Sequence, residues 1–153
     1  MTTYTGVFAN SSSAGGVFNV GDILISAKGA FKLTFQATDG NLVLSAFDDV
    51  TGGYSPIWQA GLSNPAAVSP SAFATSEVPF CVMQEDGNFV YQLPETKSKE
   101  KAVPFQTQTG GNPGAVLRCQ DDGNLVVYSR SGAPLWATNT YAGTANRPAA
   151  GKV

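Results

Sequence analysis

The sequence predicts an all-β domain built from three repeated units, and three observations indicate this fold class. One nine-residue phrase occurs three times, as ATDGNLVLS from Ala37, QEDGNFVYQ from Gln84 and QDDGNLVVY from Gln120. Each copy precedes a similar aromatic stretch, which contains Trp58, Phe105 or Trp136. Glycine and proline are frequent and charged residues make up only 13%, which favours turns and short strands over amphipathic helices. Repetition on this scale indicates one structural unit formed three times, with three equivalent surface sites.

The length of 153 residues is that of a single domain with a core of its own. The net charge of −2 argues against a phosphate-binding surface and against nucleic acid as a partner, because nucleic-acid-binding proteins carry a basic face. We expect one domain over 1–153, divided into repeats at about 17–61, 62–111 and 112–140 and a C-terminal tail at 141–153.

The N-terminal residues lack the basic and apolar regions of a secretion signal, and no stretch approaches the ~18 apolar residues of a membrane span. We therefore expect a soluble protein without membrane insertion, either cytoplasmic or released without a classical signal peptide. Cys81 and Cys119 are too few for a disulfide framework or a four-cysteine zinc site. Strand parity predicts that both point inward, either as buried free thiols or as one disulfide.

Alternation of side chains along a strand assigns the two faces of each repeat. In the third copy, Leu125 and Val127 are expected in the core, and the outer face carries Asn124, Val126 and Tyr128. In the second copy, Phe89 and Tyr91 point inward, and the outer residues are Asn88, Val90 and Gln92. In the first copy, Leu42 and Leu44 point inward, and the outer residues are Asn41, Val43 and Ser45. A polar outer set repeated three times indicates a binding role, since a core does not require it.

The first copy departs from the other two before its Asp-Gly turn. Aligning the copies by the aspartate places Ala37 opposite Gln84 and Gln120. The apolar alternation, however, ends at Phe35, which puts Gln36 on the outer face. We therefore expect a turn one residue longer in the first copy.

These residues resemble the signature Q-x-D-x-N-x-V-x-Y of the bulb-type, or snowdrop-type, mannose-binding lectins. The third copy matches all five positions, and APLWATNT resembles the stretch that follows the signature in that family. The resemblance implies a type II β-prism of three four-stranded antiparallel sheets with pseudo-threefold symmetry and one sugar site per sheet. It also implies that Trp58, Phe105 and Trp136 pack near the axis.

The resemblance assigns the sugar-binding residues of each copy. Site three has the complete set: Gln120, Asp122, Asn124, Val126 and Tyr128. Site two has Gln84, Asp86, Asn88 and Val90, with Gln92 in place of the tyrosine. Site one has Asp39, Asn41 and Val43, with Gln36 displaced and Ser45 in place of the tyrosine. Carboxylate and amide groups together can serve two neighbouring sugar hydroxyls, each of which donates and accepts.

The function implied is a lectin that binds mannose or mannose-rich glycans and glycoproteins through up to three shallow sites. The alternative is a protein-interaction or structural domain whose sugar sites have mostly decayed. No enzyme activity is expected, because the chain has no histidine and the repeated aspartates fall in separate units. No cofactor is expected, and the DDGN turn lacks the alternating carboxylates of a calcium loop.

The tail after Trp136 is too polar to form a core element alone. Related lectins commonly exchange C-terminal strands within a dimer, so a homodimer is one interpretation. Gly143, Pro148 and Gly151 favour the other, an unstructured tail.

Overall fold

This computed structural model describes residues 1–62, 78–93, 103–141 and 151–153, and short strands are the main regular element among them. One helical turn, α1 (Ser13–Gly16), lies among the strands. The strands are β1 (Thr3–Thr5), β2 (Val7–Ala9), β3 (Val17–Asn19), β4 (Ile23–Ile25), β5 (Phe31–Phe35), β6 (Leu42–Asp48), β7 (Gly53–Gln59), β8 (Phe80–Met83), β9 (Phe89–Gln92), β10 (Phe105–Gln106), β11 (Val116–Cys119), β12 (Leu125–Tyr128), β13 (Pro134–Ala137) and β14 (Gly151–Lys152).

Three sheets form, with strand orders β1-β4-β5-β6-β7, β10-β9-β8-β3 and β14-β13-β12-β11-β2. The predicted all-β prism is confirmed. The expectation of four strands in every sheet holds only for the second sheet. The first sheet gains β1, which pairs parallel to β4, and the third gains β14, which pairs antiparallel to β13.

The N-terminal arm connects the sheets. Of its three strands, β1 joins the first sheet, β2 pairs with β11 in the third, and β3 pairs with β8 in the second. The turn into β3 needs Gly16, since a Cβ there would lie 2.7 Å from the Asn10 Cα and φ is +78°. The arm therefore contributes one strand to each sheet and holds the three together.

The Asp-Gly turns confirm the longer turn of the first copy. Gln84 N donates to Asn88 O and Gln120 N donates to Asn124 O, each at 2.9 Å. In the first copy the equivalent bond runs from Gln36 N to Asn41 O, also at 2.9 Å, and encloses one more residue. Gln36 therefore occupies the structural position of the other two glutamines.

The inner faces of the sheets enclose one core, and the inward assignments from strand parity are confirmed. Leu42, Leu44, Phe89, Tyr91, Leu125 and Val127 are all buried. The Tyr91 hydroxyl donates to Gly40 O at 2.7 Å, which ties the second copy to the turn of the first.

Three aromatic rings meet at the pseudo-threefold axis, as expected. The centroid of Trp58 lies 5.8 Å from that of Phe105 and 5.9 Å from that of Trp136, and Phe105 and Trp136 are also 5.9 Å apart. All three pairs meet edge to face, the arrangement that aligns ring edges with the negative faces of neighbouring rings.

Both cysteines are free and buried, which agrees with the first of the two interpretations. Burial raises the pKa of the Cys81 thiol well above its ordinary value and raises that of Cys119 to about 12. The thiolate is the reactive form, so both side chains are poor nucleophiles at neutral pH and act as core residues.

We predict that Trp136→Ala lowers the free energy of unfolding by about 3–5 kcal/mol, because it leaves a cavity among the three rings. Urea denaturation measures the change. Phe47→Ala is the matched control, since Phe47 is 47% exposed and its ring contact with Tyr54 is worth at most about 1.5 kcal/mol. Equal losses in the two variants would show that the axial rings do not hold the sheets together.

Candidate functional site

The aspartate of each repeat shapes its own turn. Its Oδ1 accepts a hydrogen bond from the backbone N–H of the repeat's asparagine, two residues later. The distances are 3.0 Å for Asp39 and Asn41, 2.9 Å for Asp86 and Asn88, and 2.9 Å for Asp122 and Asn124. Because this bond fixes the turn, the three aspartates are structural as well as candidate binding residues.

Site three brings its five predicted residues together on the outer face of β11 and β12. The Gln120 Nε2 donates to the Tyr128 hydroxyl. This bond spans the outer face of the hairpin, on which Val126 also lies. Val126 is only 2% exposed. The valine therefore lies on the floor of the site beneath polar side chains rather than on the open surface, and Val43 and Val90 are similarly buried.

The side-chain amide of Asn124 remains available in site three. Its Oδ1 accepts from the Thr138 hydroxyl at 3.2 Å. Within the described ranges, no group accepts a hydrogen bond from its Nδ2. The residue beside it on β13 is Ala137, which pairs with Val126 and has no polar side chain. The Asn124 amide can therefore donate to a ligand.

In site two the corresponding amide is already engaged. Asn88 Nδ2 donates to Gln106 Oε1 at 2.9 Å. Asn88 Oδ1 accepts from the Thr107 hydroxyl and from Thr109 N, both at 3.2 Å. The outer face also holds Gln84 and, in the tyrosine position, Gln92, whose Nε2 donates to Leu93 O at 3.1 Å.

Site one is closed more completely. Asn41 is 2% exposed, and its Nδ2 donates to Gln59 Oε1 at 2.8 Å. Its Oδ1 accepts from Leu62 N at 3.0 Å. Ser45 pairs with Lys32, whose Nζ lies 4.0 Å from the centroid of the Tyr54 ring. Site one thus contains its predicted residues but offers no open asparagine amide.

The residues that distinguish the three sites lie outside the repeated phrase. Gln59, Gln106 and Ala137 each follow the axial aromatic residue of their repeat and pair with the valine of the outer row. The signal was present in the stretches IWQA, PFQT and LWAT. It became interpretable only when the register showed that these residues lie beside the asparagine.

A groove of about 450 Å³ adjoins site three. Gln120 and Tyr128 form one part of its lining and so belong to both the groove and the site. The remaining lining residues are Gly114, Val116, Arg118, Ser129, Arg130 and Gly132.

Within the described part of the chain, no group of three or more histidine, cysteine, aspartate or glutamate side chains could hold a metal ion. Among the same residues, no helix has the length and apolar character needed to cross a membrane.

Several solved lectins have the same fold. A lectin from Japanese Marasmius oreades aligns with a TM-score of 0.62 at 26% identity, over 93% of this chain and 97% of that one. Monomeric monocot mannose-binding lectins from Gastrodia elata align with a TM-score of 0.55 at 25% identity, over 84% of this chain and 94% of theirs. A garlic (Allium sativum) lectin aligns with a TM-score of 0.53 at 22% identity, over 86% and 97%, and supports the fold alone. No protein-family model and no curated protein matches the sequence.

Proposed function

Because this chain shares the β-prism fold of the bulb-type mannose-binding lectins and resembles them in its repeated signature, we propose that it is a lectin that binds mannose or mannose-containing glycans. The proposal rests on site three, which has all five signature residues and an Asn124 side-chain amide with a free donor. Gln120, Asp122 and Tyr128 surround this amide, and Val126 lies beneath them.

The binding chemistry follows from the groups present. The axial 2-hydroxyl of mannose would donate to the Asp122 carboxylate and accept from Asn124 Nδ2. Gln120 and Tyr128 would serve the 3- and 4-hydroxyls in place of the hydrogen bond that they make to each other. When the Gln120 and Tyr128 side chains separate, the sugar ring would pack against Val126. Each such bond contributes about 0.5–1.5 kcal/mol net, since a bond to water is lost in exchange.

A shallow site of this kind binds one sugar with a dissociation constant of roughly millimolar order, about −4 kcal/mol. Tighter binding requires several contacts with one branched glycan or glycoprotein surface.

Sites one and two would bind more weakly than site three. A sugar there must displace Gln59 or Gln106 from the asparagine amide. An amide-to-amide bond contributes about 0.5–1.5 kcal/mol, so the displacement weakens binding by up to about tenfold. Both sites also lack the tyrosine, and the Asn41 side chain is buried.

The second candidate function is a protein-interaction or structural domain. The engaged amides of Asn41 and Asn88 favour it, because they show two outer faces satisfied within the chain itself. A glycan array with soluble mannose as competitor separates the two functions, since only a lectin loses its array signal to the competitor. Catalysis forms no part of either proposal, because the three repeated carboxylates stand on different sheets.

We predict that Asp122→Ala and Asn124→Ala each weaken binding of methyl α-mannoside by about tenfold or more, because a sugar hydroxyl loses its partner. Isothermal titration calorimetry measures the effect. Asp121→Ala is the matched control, since Asp121 accepts from Lys28 N outside the site and should leave binding unchanged. Unaltered affinity in the first two variants would move the sugar site elsewhere.

A second prediction concerns site two in a chain that also carries Asn124→Ala. Gln92→Tyr alone should leave site two about tenfold weaker than site three, because a sugar must still displace Gln106 from Asn88. Gln92→Tyr with Gln106→Ala should give millimolar binding of methyl α-mannoside, followed by NMR titration. Equal responses in the single and double variants would show that Gln106 does not block the site.

The chain is also proposed to form a homodimer by exchange of its tail. In the structure β14 sits on the edge of β13 of its own chain, with Ala137 opposite Gly151 and Trp136 opposite Lys152. The same edge of β13 would accept the tail of a second copy. The resulting dimer would have twice as many sites, and the pairing would cover an exposed strand. Residues 142–150, which include Gly143 and Pro148, lie outside the described residues.

We predict a dimeric mass by light scattering for the full chain and a monomeric mass for a version that ends at Thr140. A monomeric mass for the full chain would exclude the dimer. A dimeric mass after truncation would exclude the exchange of tails.

A further inference from the structure

The groove beside site three carries a concentration of positive charge in an acidic chain. Of the three arginines in the sequence, Arg118 and Arg130 line this one groove. Among the described residues, neither guanidinium makes an ion pair or a hydrogen bond. The protein as a whole has a formal charge of −2, so the local charge is opposite in sign to that of the molecule.

The arginines belong to site three alone. Arg118 pairs with Val126 of the outer row. The residues that hold the same register beside Val43 and Val90 are Thr34 and Val82, which are uncharged. Among the residues that the structure describes, the repeat with a complete sugar-binding set and an open asparagine amide therefore also has a cationic groove.

The local backbone positions Arg130 over the groove. It lies in the hairpin turn between β12 and β13, where Ser129 N donates to Ala133 O at 2.7 Å and Ala133 N donates to the Ser129 hydroxyl at 3.0 Å. Its side-chain carbons pass so close to Gly114 that a Cβ there would lie 3.1 Å from the Arg130 Cδ. The aliphatic part of the Arg130 side chain therefore packs against the backbone of Gly114.

The groove overlaps the proposed sugar site and extends beyond it. Arg118 lies beside Val126 within the outer face, whereas Arg130 follows two residues after Tyr128 and so lies beyond the tyrosine. In the pose above, Gln120 and Tyr128 serve the 3- and 4-hydroxyls. The C6 group is attached to C5, next to the ring carbon that bears the 4-hydroxyl, so it would project from the same edge of the ring toward the groove.

We propose that site three and this groove together bind a mannose unit that carries a phosphate group at or near C6. The inference rests on the proposed sugar-binding function and names the substrate class of the same site. A guanidinium matches the geometry of phosphate oxygens through paired N–H donors, and charge-assisted bonds of this kind are stronger than neutral ones. The mannose ring supplies the hydroxyls for Asp122 and Asn124, and the phosphate supplies the charge for the arginines.

The test compares methyl α-mannoside, mannose 6-phosphate and inorganic phosphate by calorimetry on the full chain at low salt. Mannose 6-phosphate should bind about tenfold more tightly than methyl α-mannoside, and this advantage should shrink as salt is added.

Arg118→Gln and Arg130→Gln should each reduce the ratio of the two affinities toward one. Arg130→Lys, which keeps the charge but loses the paired donors, should retain part of the advantage. Lys32→Gln is the charge-matched control on the first sheet and should leave the ratio unchanged.

Thermal melts of each variant confirm that it is folded before its affinities are compared. If mannose 6-phosphate binds no more tightly than methyl α-mannoside while the mannoside still binds, the inference is overturned and the lectin proposal stands. If inorganic phosphate binds as tightly as mannose 6-phosphate, the groove is an independent anion site and the joint recognition is wrong. If no sugar binds, the proposed function fails together with the inference.

Discussion

The three sheets meet where Trp58, Phe105 and Trp136 pack edge to face around the pseudo-threefold axis, and this packing determines which neighbouring residues face outward. Because these rings point inward, alternation along each strand sends the next residue to the outer face. That next residue is Gln59, Gln106 or Ala137, and it lies beside the asparagine of its own repeat. A requirement of the core thus determines which side chain meets the asparagine amide at the surface.

The three repeats keep one backbone geometry and differ in what their outer faces offer. The Asp-to-Asn turn bond recurs at almost the same distance in all three. A residue with positive φ lies three positions after each axial aromatic: Gly61, Gln108 and Asn139. The side chains on this common backbone then engage Asn41 and Asn88 but not the Nδ2 of Asn124. The three repeats therefore share one backbone, and among the described residues only the third leaves its asparagine amide donor without a partner.

Much of the architecture was predictable from the sequence because it depends on local rules. The repeated phrase located the turns, period-two alternation assigned the inward residues, and the parity argument placed Gln36 correctly despite the longer turn. The extra strands β1 and β14 were not predictable, since short edge strands carry no pattern of their own and pair only where a neighbour leaves an edge free.

The site itself was only partly predictable. The signature residues could be named, but signature matching treats each asparagine as available. Whether its amide is free depends on a cross-strand neighbour that is 18 residues away for Asn41 and Asn88. The burial of Val43, Val90 and Val126 was equally hidden, because it depends on side-chain packing that the strand pattern does not encode.

We propose that its unengaged asparagine amide makes site three the principal binding site. NMR titration of the unmodified chain with methyl α-mannoside, observed at the side-chain amides, can distinguish the three sites. We expect the Asn124 and Gln120 amide signals to shift first, at millimolar sugar, while those of Asn41 and Asn88 stay in place until the sugar is about tenfold more concentrated. Shifts of equal size and midpoint at all three asparagines, or a first response at Asn41 or Asn88, would contradict it.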